Sequence, residues 1–351
     1  MTANPPTEPS VPSVCILGLG QMGLVCANAL DSTAGSPPSI RLWGHSEDEA
    51  GTLAQSRSSS RLPEYHLPTR IRVALSDAEA LKDADIIVNA IPVQFMRSSW
   101  ERLKPLVPAQ AAVISVAKGI ENTTLLRPTQ IISDVLGDDP DARPRPIGCM
   151  SGPAIATELA KGLPATMAAA SDHPGFAETI QELFSTSWLR IYTNPDPLGV
   201  ELAGATKNVI AIAAGIIDGL GAGYNAKSAL LARGLAEIAR LGTAMGAHKD
   251  TFFGVAGVGD LATTCFSPEG RNRSCGEALG RGAKLNEYIE QSMCVVEGVA
   301  TTRSVMDLAE KYRVEMPIAR AVHAVLFEGL DPVDAITILM SRELTGERIA
   351  E

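Results

Sequence analysis

The hydrophobic and polar positions change their pattern once along the chain. From Val14 to about Thr193, short apolar runs alternate with stretches of helical periodicity. Several runs are apolar throughout, as expected for strands that are covered on both faces. This alternation predicts an α/β fold with a doubly wound, mostly parallel sheet. The predicted strands are VCILG, IRLW, RVAL, DIIVNAI, AAVISVA, PIGCM, ATMAAAS and LRIYTN.

The second part of the chain has helical periodicity almost throughout. It runs from Val200 to about Arg342, and Gly- and Ser-rich turns interrupt it. Two prolines and a glycine break both patterns near residues 195–198, which predicts a domain boundary there. We therefore expect a disordered tail over residues 1–12, an α/β domain over 13–196 and an all-α domain over 197–345. A polar surface loop is expected at 137–146, and fraying is expected beyond Arg342.

Composition narrows the classes of function. The chain has 351 residues, more than one hydrophobic core usually supports, which favours two domains. Its net charge of −10 argues against nucleic acid or an anionic membrane as partner, but a local basic pocket is enough for a small anionic substrate. The longest apolar run, VIAIAAGII, is too short to span a bilayer, and the N-terminus lacks the features of a secretion signal. We therefore expect a cytoplasmic protein without membrane insertion.

The cysteines show neither a C-x-x-C pair nor a histidine partner at metal-binding spacing. We interpret them as reduced thiols and expect no metal site, with a disulfide or a zinc site as the alternative. They are Cys15, Cys26, Cys149, Cys265, Cys275 and Cys294.

A glycine-rich turn follows the first predicted strand. Gly18, Gly20 and Gly23 form G-x-G-x-x-G between VCILG and a helical pattern. The first glycine allows a tight turn, the second lets a pyrophosphate approach the backbone, and the third lets helix and strand pack closely. In the first βα turn of an alternating chain, this spacing predicts a Rossmann-like dinucleotide-binding domain. A purely structural glycine turn is the alternative.

The end of the second predicted strand bears on which dinucleotide binds. NAD-selective sites usually place Asp or Glu there to bind the ribose hydroxyls. Here the strand ends in RLWGHS, and His45 occupies the position that could face a 2′-phosphate. Glu47, Asp48 and Glu49 lie just beyond and argue the other way. We therefore expect NADP or NAD as cofactor, with NADP slightly favoured.

Polar residues interrupt apolar or glycine-rich segments at four places. Lys207 lies on an apolar helix among small residues, although an ammonium is rarely buried unless it is paired. Lys118 follows an apolar strand, and SGPAIATEL opens a helix whose free N–H groups could meet an anion. Asp260 lies in a glycine turn, and Arg271 and Asn272 lead into a helix. Each has a structural alternative, namely a snorkelling or solvated lysine, a helix-capping aspartate or an exposed turn.

In their order along the chain, these segments resemble the bacterial-type NAD(P)-dependent glycerol-3-phosphate dehydrogenase family. The resemblance extends from about Val14 to about Arg342. It implies reversible reduction of dihydroxyacetone phosphate to sn-glycerol 3-phosphate with NADH or NADPH, which supplies the backbone of phospholipids. The shared motifs are LWGH, AKGIE, SGPAIATELAKGLPAT, GATKNVIAIAAGIIDGLG, LARGLAEIARLG, GVGDLATTC, GRNR, VVEGVATT and EMPI.

The resemblance also implies roles for individual residues. Lys207 falls on the family's proton-transferring lysine, Lys118 on its second active-site lysine, and Asp260 on its substrate-contacting aspartate. Arg271 and Asn272 fall on the phosphate-binding pair. The implied cofactor contacts are Gln21, Met22, His45, Lys118, Ala156, Arg271, Val295 and Glu297, and Gly152 matches a substrate contact.

Three positions depart from the family's pattern. Ala154 stands where Ser or Thr is usual, and Gly270 stands where Ser is common, so the substrate site loses two side-chain hydroxyls. IPVQF stands where the family usually shows Pro-Ser. We expect the chemistry to be retained, with a changed substrate affinity.

Two other functions and the oligomeric state stay open. A related two-domain dehydrogenase could act on another hydroxy acid or sugar phosphate. A non-catalytic NAD(P)-sensing protein is the alternative from a different class. A homodimer is expected because dimers are the commonest soluble oligomers.

Overall fold

The computed structural model describes residues 11–33, 37–137, 144–292, 295–344 and 346–347. Several expectations therefore fall outside the described residues in whole or in part. These are the tail up to residue 10, residues 138–143 of the expected loop, most of the expected frayed C-terminus, and Cys294.

An eight-stranded sheet forms from all eight of the runs that the hydrophobic pattern predicted as strands. The strand order is β3-β2-β1-β4-β5-β6-β7-β8, and every neighbouring pair is parallel except β6 and β7. The order reverses direction between β1 and β4, where the crevice of a doubly wound sheet opens. The strands are β1 (Ser13–Leu17), β2 (Ser39–Trp43), β3 (Arg72–Val73), β4 (Ile86–Asn89), β5 (Ala112–Ser115), β6 (Ile147–Ser151), β7 (Ala165–Ser171) and β8 (Leu189–Asn194).

Helices cover both faces of this sheet and then form a separate layer. In β1, Val14 and Ile16 face one apolar core, while Cys15 and Leu17 face the other. The α/β fold with a mostly parallel sheet and a helical C-terminal part is therefore confirmed. The α-helices of the described residues are α1 (Gln21–Asp31), α2 (Glu47–Ser56), α3 (Asp77–Leu81), α4 (Met96–Leu103), α5 (Pro128–Leu136), α6 (Ala156–Ala160), α7 (Phe176–Phe184), α8 (Pro197–Gly219), α9 (Gly223–Ala244), α10 (Asp260–Phe266), α11 (Arg271–Gly280), α12 (Leu285–Gln291), α13 (Glu297–Tyr312), α14 (Pro317–His323) and α15 (Pro332–Met340).

The transition from sheet to helices occurs between Asn194 and Pro197. Asp196 caps α8 by accepting a hydrogen bond from the Gly199 N–H at 2.8 Å, and Pro197 occupies the first helical turn, where no N–H partner is needed. The same carboxylate accepts from the Thr251 hydroxyl at 2.8 Å, which ties the start of α8 to the later helices. These contacts fix where the long helix α8 begins, directly after the last strand.

Helix α8 is the centre of the helical part. Within the described residues it is the one helix long and apolar enough to cross a membrane, with a mean hydropathy of 1.5 over its most apolar window. The nine-residue run that appeared too short for a bilayer is thus part of a longer apolar helix. The whole of that window is buried inside the protein. Core helices commonly satisfy the same length and composition criterion, so the finding is weak support for a membrane span.

Candidate active site

The glycine turn after β1 has the geometry that its spacing predicted. Gly18 has φ of 122°, and a Cβ there would lie 2.8 Å from the Ala90 carbonyl oxygen. A Cβ at Gly23 would lie 1.9 Å from the Gly18 oxygen, so α1 packs directly on the turn. At Gly20, by contrast, a Cβ would meet nothing within 4 Å. Bare backbone at the N-terminus of α1 therefore faces open space, as a bound pyrophosphate requires.

This open space belongs to a cleft of about 520 Å³ between the carboxyl ends of β1, β4 and β5 and the helices α8, α10 and α11. Most residues that the motifs or the resemblance assigned to the site line it, whereas Gly23 lies beneath the glycine turn and Gly152 contributes its carbonyl to Lys118. The predicted residues that line the cleft are Gly18, Gly20, Gln21, Met22, His45, Lys118, Ala154, Ala156, Lys207, Asp260, Gly270, Arg271, Asn272, Val295 and Glu297.

The Asp260 carboxylate is shared by two lysines at the inner end of the cleft. Its Oδ1 lies 2.8 Å from Lys207 Nζ, and its Oδ2 lies 2.5 Å from Lys118 Nζ. The side chains of Lys207, Lys118 and Asp260 are 7%, 15% and 2% exposed. Lys207 is therefore neither snorkelling nor unpaired, and the Asp260 carboxylate binds ammonium groups instead of capping α10.

Small residues on α8 make room for this cluster. A Cβ at Gly204 would lie 2.7 Å from Ser151 Oγ and 3.5 Å from Lys118 Cγ. The Lys118 side chain thus crosses the bare surface of α8 and donates to the Gly152 carbonyl at 3.0 Å. The sheet and the helical layer meet at this point through the lysine–aspartate cluster.

Burial shifts the pKa of two groups in the cleft. It lowers the pKa of the Lys118 ammonium to about 8, with Asp260 opposing that change and the Lys207 charge adding to it. Burial also raises the pKa of the Glu297 carboxyl above its ordinary value, against the attraction of Arg271, Lys118 and Lys207. Lys118 can therefore lose its charge just above neutral pH.

The far end of the cleft, beyond β2, carries charges of both signs. The Nδ1 atom of His45 lies 3.5 Å from Arg102 Nη1. Arg61 Nε donates to Glu49 Oε1 at 2.8 Å. Arg61 and Glu49 both line the cleft. A Cβ at Gly44 would lie 2.5 Å from Leu19 Cδ1, so an acidic side chain does not fit directly after the strand without movement of Leu19.

The predicted phosphate-binding pair begins α11 at the mouth of the cleft. Arg271 Nη1 donates to the Val295 carbonyl at 3.1 Å, and Asn272 Oδ1 accepts from the Gly298 N–H at 2.9 Å. Asn272 is buried, whereas Arg271 is exposed. These contacts join the start of α11 to the segment before α13.

Two residues that line the cleft, Thr264 and Asn208, and the nearby Ser151 were given no individual role from the sequence. The Thr264 hydroxyl accepts from Lys207 Nζ and donates to the Asp260 carbonyl at 2.7 Å. Asn208 Nδ2 and Ser151 Oγ are buried without a hydrogen-bond partner. The i, i+4 spacing of Asp260 and Thr264 was a usable signal, whereas Asn208 and Ser151 become notable only once their burial is known.

Within the described residues, no group of three or more His, Cys, Asp or Glu side chains could hold a metal ion. Five free cysteines are buried, and burial raises the pKa of the Cys15 and Cys26 thiols to about 12.

The fold and the cleft together define a class. A glycine turn at the switch point of a doubly wound sheet binds a dinucleotide, and paired ammonium groups at its inner end suit a reaction that builds negative charge on oxygen. These are the features of a two-domain nicotinamide-dinucleotide-dependent dehydrogenase.

Comparison with known proteins specifies the family. The N-terminal and C-terminal parts of NAD-dependent glycerol-3-phosphate dehydrogenase match residues 13–177 and 196–337. The chain belongs to this family. It is 42% identical to glycerol-3-phosphate dehydrogenase [NAD(P)+] of Bacillus pumilus over 335 residues, 95% of each chain. It is 44% identical to a second such enzyme, of Salinibacter ruber, over 95% of this chain and 96% of that one.

A solved structure agrees with this assignment. The crystal structure of glycerol-3-phosphate dehydrogenase from Coxiella burnetii superposes with a TM-score of 0.89 at 34% identity, covering 95% of this chain and all of that one. The resemblance noted from the sequence motifs is therefore confirmed.

Proposed function

We propose that the chain reduces dihydroxyacetone phosphate to sn-glycerol 3-phosphate with NADPH or NADH, reversibly, and so supplies glycerophospholipid synthesis. The observation that carries the proposal is the buried Asp260 carboxylate held between Lys207 and Lys118 at the inner end of a cleft that begins at a bare glycine turn. We further propose a cytoplasmic homodimer, in which residues 13–196 bind the dinucleotide and residues 197–345 bind the substrate.

The described residues fit a dinucleotide in the cleft. The open backbone at Gly20 and the N-terminus of α1 would hold the pyrophosphate. His45 would lie toward the adenosine ribose. Lys118, Arg271, Val295, Glu297, Gln21, Met22 and Ala156 would line the remaining length. When bound, the reduced cofactor supplies the hydride that reduces the ketone carbon.

NADP remains slightly favoured over NAD. No carboxylate occupies the end of β2, and Gly44 leaves little space for one. Arg61 adds a cation that lines the cleft close to Glu49. A 2′-phosphate would recruit Arg61, whereas free ribose hydroxyls would bind Glu49, so the pair suits both cofactors.

Lys207 is proposed as the proton donor. As the ketone carbon becomes tetrahedral, negative charge grows on its oxygen, and an ammonium there both stabilises the charge and transfers a proton to form the hydroxyl. Asp260 Oδ1 and the Thr264 hydroxyl both contact Lys207 Nζ and fix its position. Lys118 supplies a second positive charge, and Asp260 keeps the two ammonium groups compatible within one buried site.

The substrate phosphate is proposed to bind Arg271 and Asn272 at the start of α11. The charge-assisted contact with Arg271 would orient the ketone as well as bind the phosphate. Ala154 and Gly270 provide no hydroxyl, but a backbone N–H can serve at either position. Asn208 Nδ2, buried beside Lys207 without a partner, is a further donor for a substrate hydroxyl or the ketone oxygen.

Initial rates of NADPH and NADH oxidation test this function against its alternatives. We expect rapid turnover with dihydroxyacetone phosphate and slow turnover with its unphosphorylated analogue and with 2-keto acids. Preference for an unphosphorylated substrate would favour a related dehydrogenase instead. Cofactor binding without turnover of any substrate would favour a sensing protein.

A further inference from the structure

Lys227 is a second buried lysine, and the proposed reaction does not use it. Its side chain is 5% exposed, and Nζ donates to both carboxylate oxygens of Asp218 at 2.9 and 2.7 Å. The same Nζ lies 4.9 Å from the centre of the Phe266 ring. Arg273 Nε donates to Asp218 Oδ2 at 2.6 Å. These four residues are called the Asp218 cluster below.

The Asp218 cluster joins the helices that carry the active-site side chains without lining the cleft itself. Asp218 lies in the last turn of α8, Phe266 ends α10, and Arg273 lies in the first turn of α11. These three helices carry the proposed proton donor, its carboxylate partner and the phosphate-binding pair. Lys227, from α9, donates to both oxygens of the same Asp218 carboxylate.

The contact between α8 and α11 is made largely by backbone. A Cβ at Gly215 would lie 1.9 Å from the Arg273 carbonyl oxygen, and a Cβ at Gly276 would lie 2.0 Å from the Ile212 carbonyl oxygen. Packed helices are normally held in register by side-chain ridges that fit into grooves. At these glycine positions no side-chain ridge resists rotation or sliding of α11 on α8, so a directional contact nearby adds a restraint. The directional hydrogen bond from Arg273 to Asp218 is placed to do this.

The energetics of buried ion pairs also favour a role of the Asp218 contacts in fixing α11 on α8. Burying charged groups costs desolvation energy that their attraction often only balances, so buried ion pairs are weak contributors to net stability. Their better-attested effect is to select one arrangement over others. Here the selected arrangement places Arg271, two residues before Arg273, at the cleft.

We propose that Asp218, held by Lys227, is a positioning residue that fixes the first turn of α11 through Arg273 and thereby sets the affinity for the substrate's phosphate group. The inference rests on the proposed function. A positioning error of about 1 Å can reduce catalysis by about 100-fold. Because the restrained first turn of α11 carries Arg271, loss of the restraint affects chiefly the substrate that carries a phosphate.

The test compares dihydroxyacetone phosphate with unphosphorylated dihydroxyacetone in the full-length Asp218→Asn variant. We expect KM for the phosphorylated ketone to rise about tenfold or more, with kcat/KM for dihydroxyacetone changed by less than about twofold. Introducing Asp218→Asn into an Arg271→Ala background should add little further loss, because the group it positions is already gone. Arg342→Gln is the matched control, since Arg342 is exposed and pairs with Glu315, outside the Asp218 cluster.

Arg273→Lys provides a second variant if Asp218→Asn does not fold. It keeps a positive charge opposite Asp218 but changes the hydrogen-bond geometry, so the same selective rise in KM is expected. Equal losses with both ketones, or a full additional loss in the Arg271→Ala background, would overturn the positioning role. Wild-type protein that turns over neither ketone would instead overturn the proposed function on which the inference rests.

Discussion

Replacing Lys118 with methionine should remove activity and increase stability at neutral pH. Methionine keeps the length of the side chain but carries no charge. Lys118 is 15% exposed, and burial lowers its pKa from 10.5 to about 8. Each tenfold change in proton affinity corresponds to about 1.4 kcal/mol, so the charge costs the folded state roughly 3 kcal/mol at pH 7. The attraction of Asp260 is already contained in this pKa, but the Gly152 carbonyl would lose its partner, which reduces the expected gain to about 1–2 kcal/mol.

The size of this stability difference depends on pH in a defined direction. Between pH 8 and 10.5, the unfolded chain keeps the Lys118 proton while the folded protein releases it. The free energy of unfolding of the wild type therefore rises with pH across this range relative to the variant. The advantage of Lys118→Met is greatest below pH 8 and shrinks as pH rises through 8 toward 10.5.

Unfolding midpoints of the wild type and Lys118→Met at pH 7, 8 and 9.5 measure the difference in stability. Turnover of dihydroxyacetone phosphate should fall at least about 100-fold in the variant. Lys82→Met, at an exposed position, controls for the removal of any lysine. A variant that is less stable than wild type at pH 7, or a difference that stays constant with pH, would refute the reasoning.

Three further substitutions test separate parts of the cleft. Arg271→Ala should raise KM for dihydroxyacetone phosphate by about tenfold or more through loss of a charge-assisted contact, and an unchanged KM would contradict the phosphate role. Arg61→Gln should reduce the ratio of NADPH to NADH affinity by about tenfold, while Arg70→Gln, whose partner Asp31 lies outside the cleft, should leave it unchanged. Gly20→Ala should leave the unfolding midpoint unchanged, because a Cβ there meets nothing within 4 Å, but should weaken binding of both cofactors. Unchanged affinities would place the pyrophosphate elsewhere.

Much of the fold was readable because its patterns are local. Apolar runs of strand length predicted every strand of the described sheet, and the spacing of Gly18, Gly20 and Gly23 predicted their different surroundings. The antiparallel pairing of β6 with β7 was not predicted, because periodicity shows that a segment is a strand but not its direction.

Apart from the glycine turn, the sequence singled out site residues mainly where a charge conflicts with its own segment. Lys207 was noticeable as a charge within an apolar helix, and the structure supplies its partner, Asp260. Arg61 lies in a polar turn and Thr264 near the end of the short helix α10, so neither conflicts with its segment. Asn208 is a polar residue within the apolar α8, but the charge of the neighbouring Lys207 is the stronger signal. Their significance depends on burial and on contacts between segments distant in sequence, which a linear pattern does not contain.

Turnover of dihydroxyacetone phosphate by wild type and Lys207→Ala, measured side by side with NADPH binding on the same samples, tests the central claim most directly. The account predicts NADPH oxidation by the wild type and a loss of at least about 1000-fold in kcat for the variant, with the Kd of NADPH nearly unchanged. Near-normal kcat in Lys207→Ala, or no oxidation by the wild type, would contradict it.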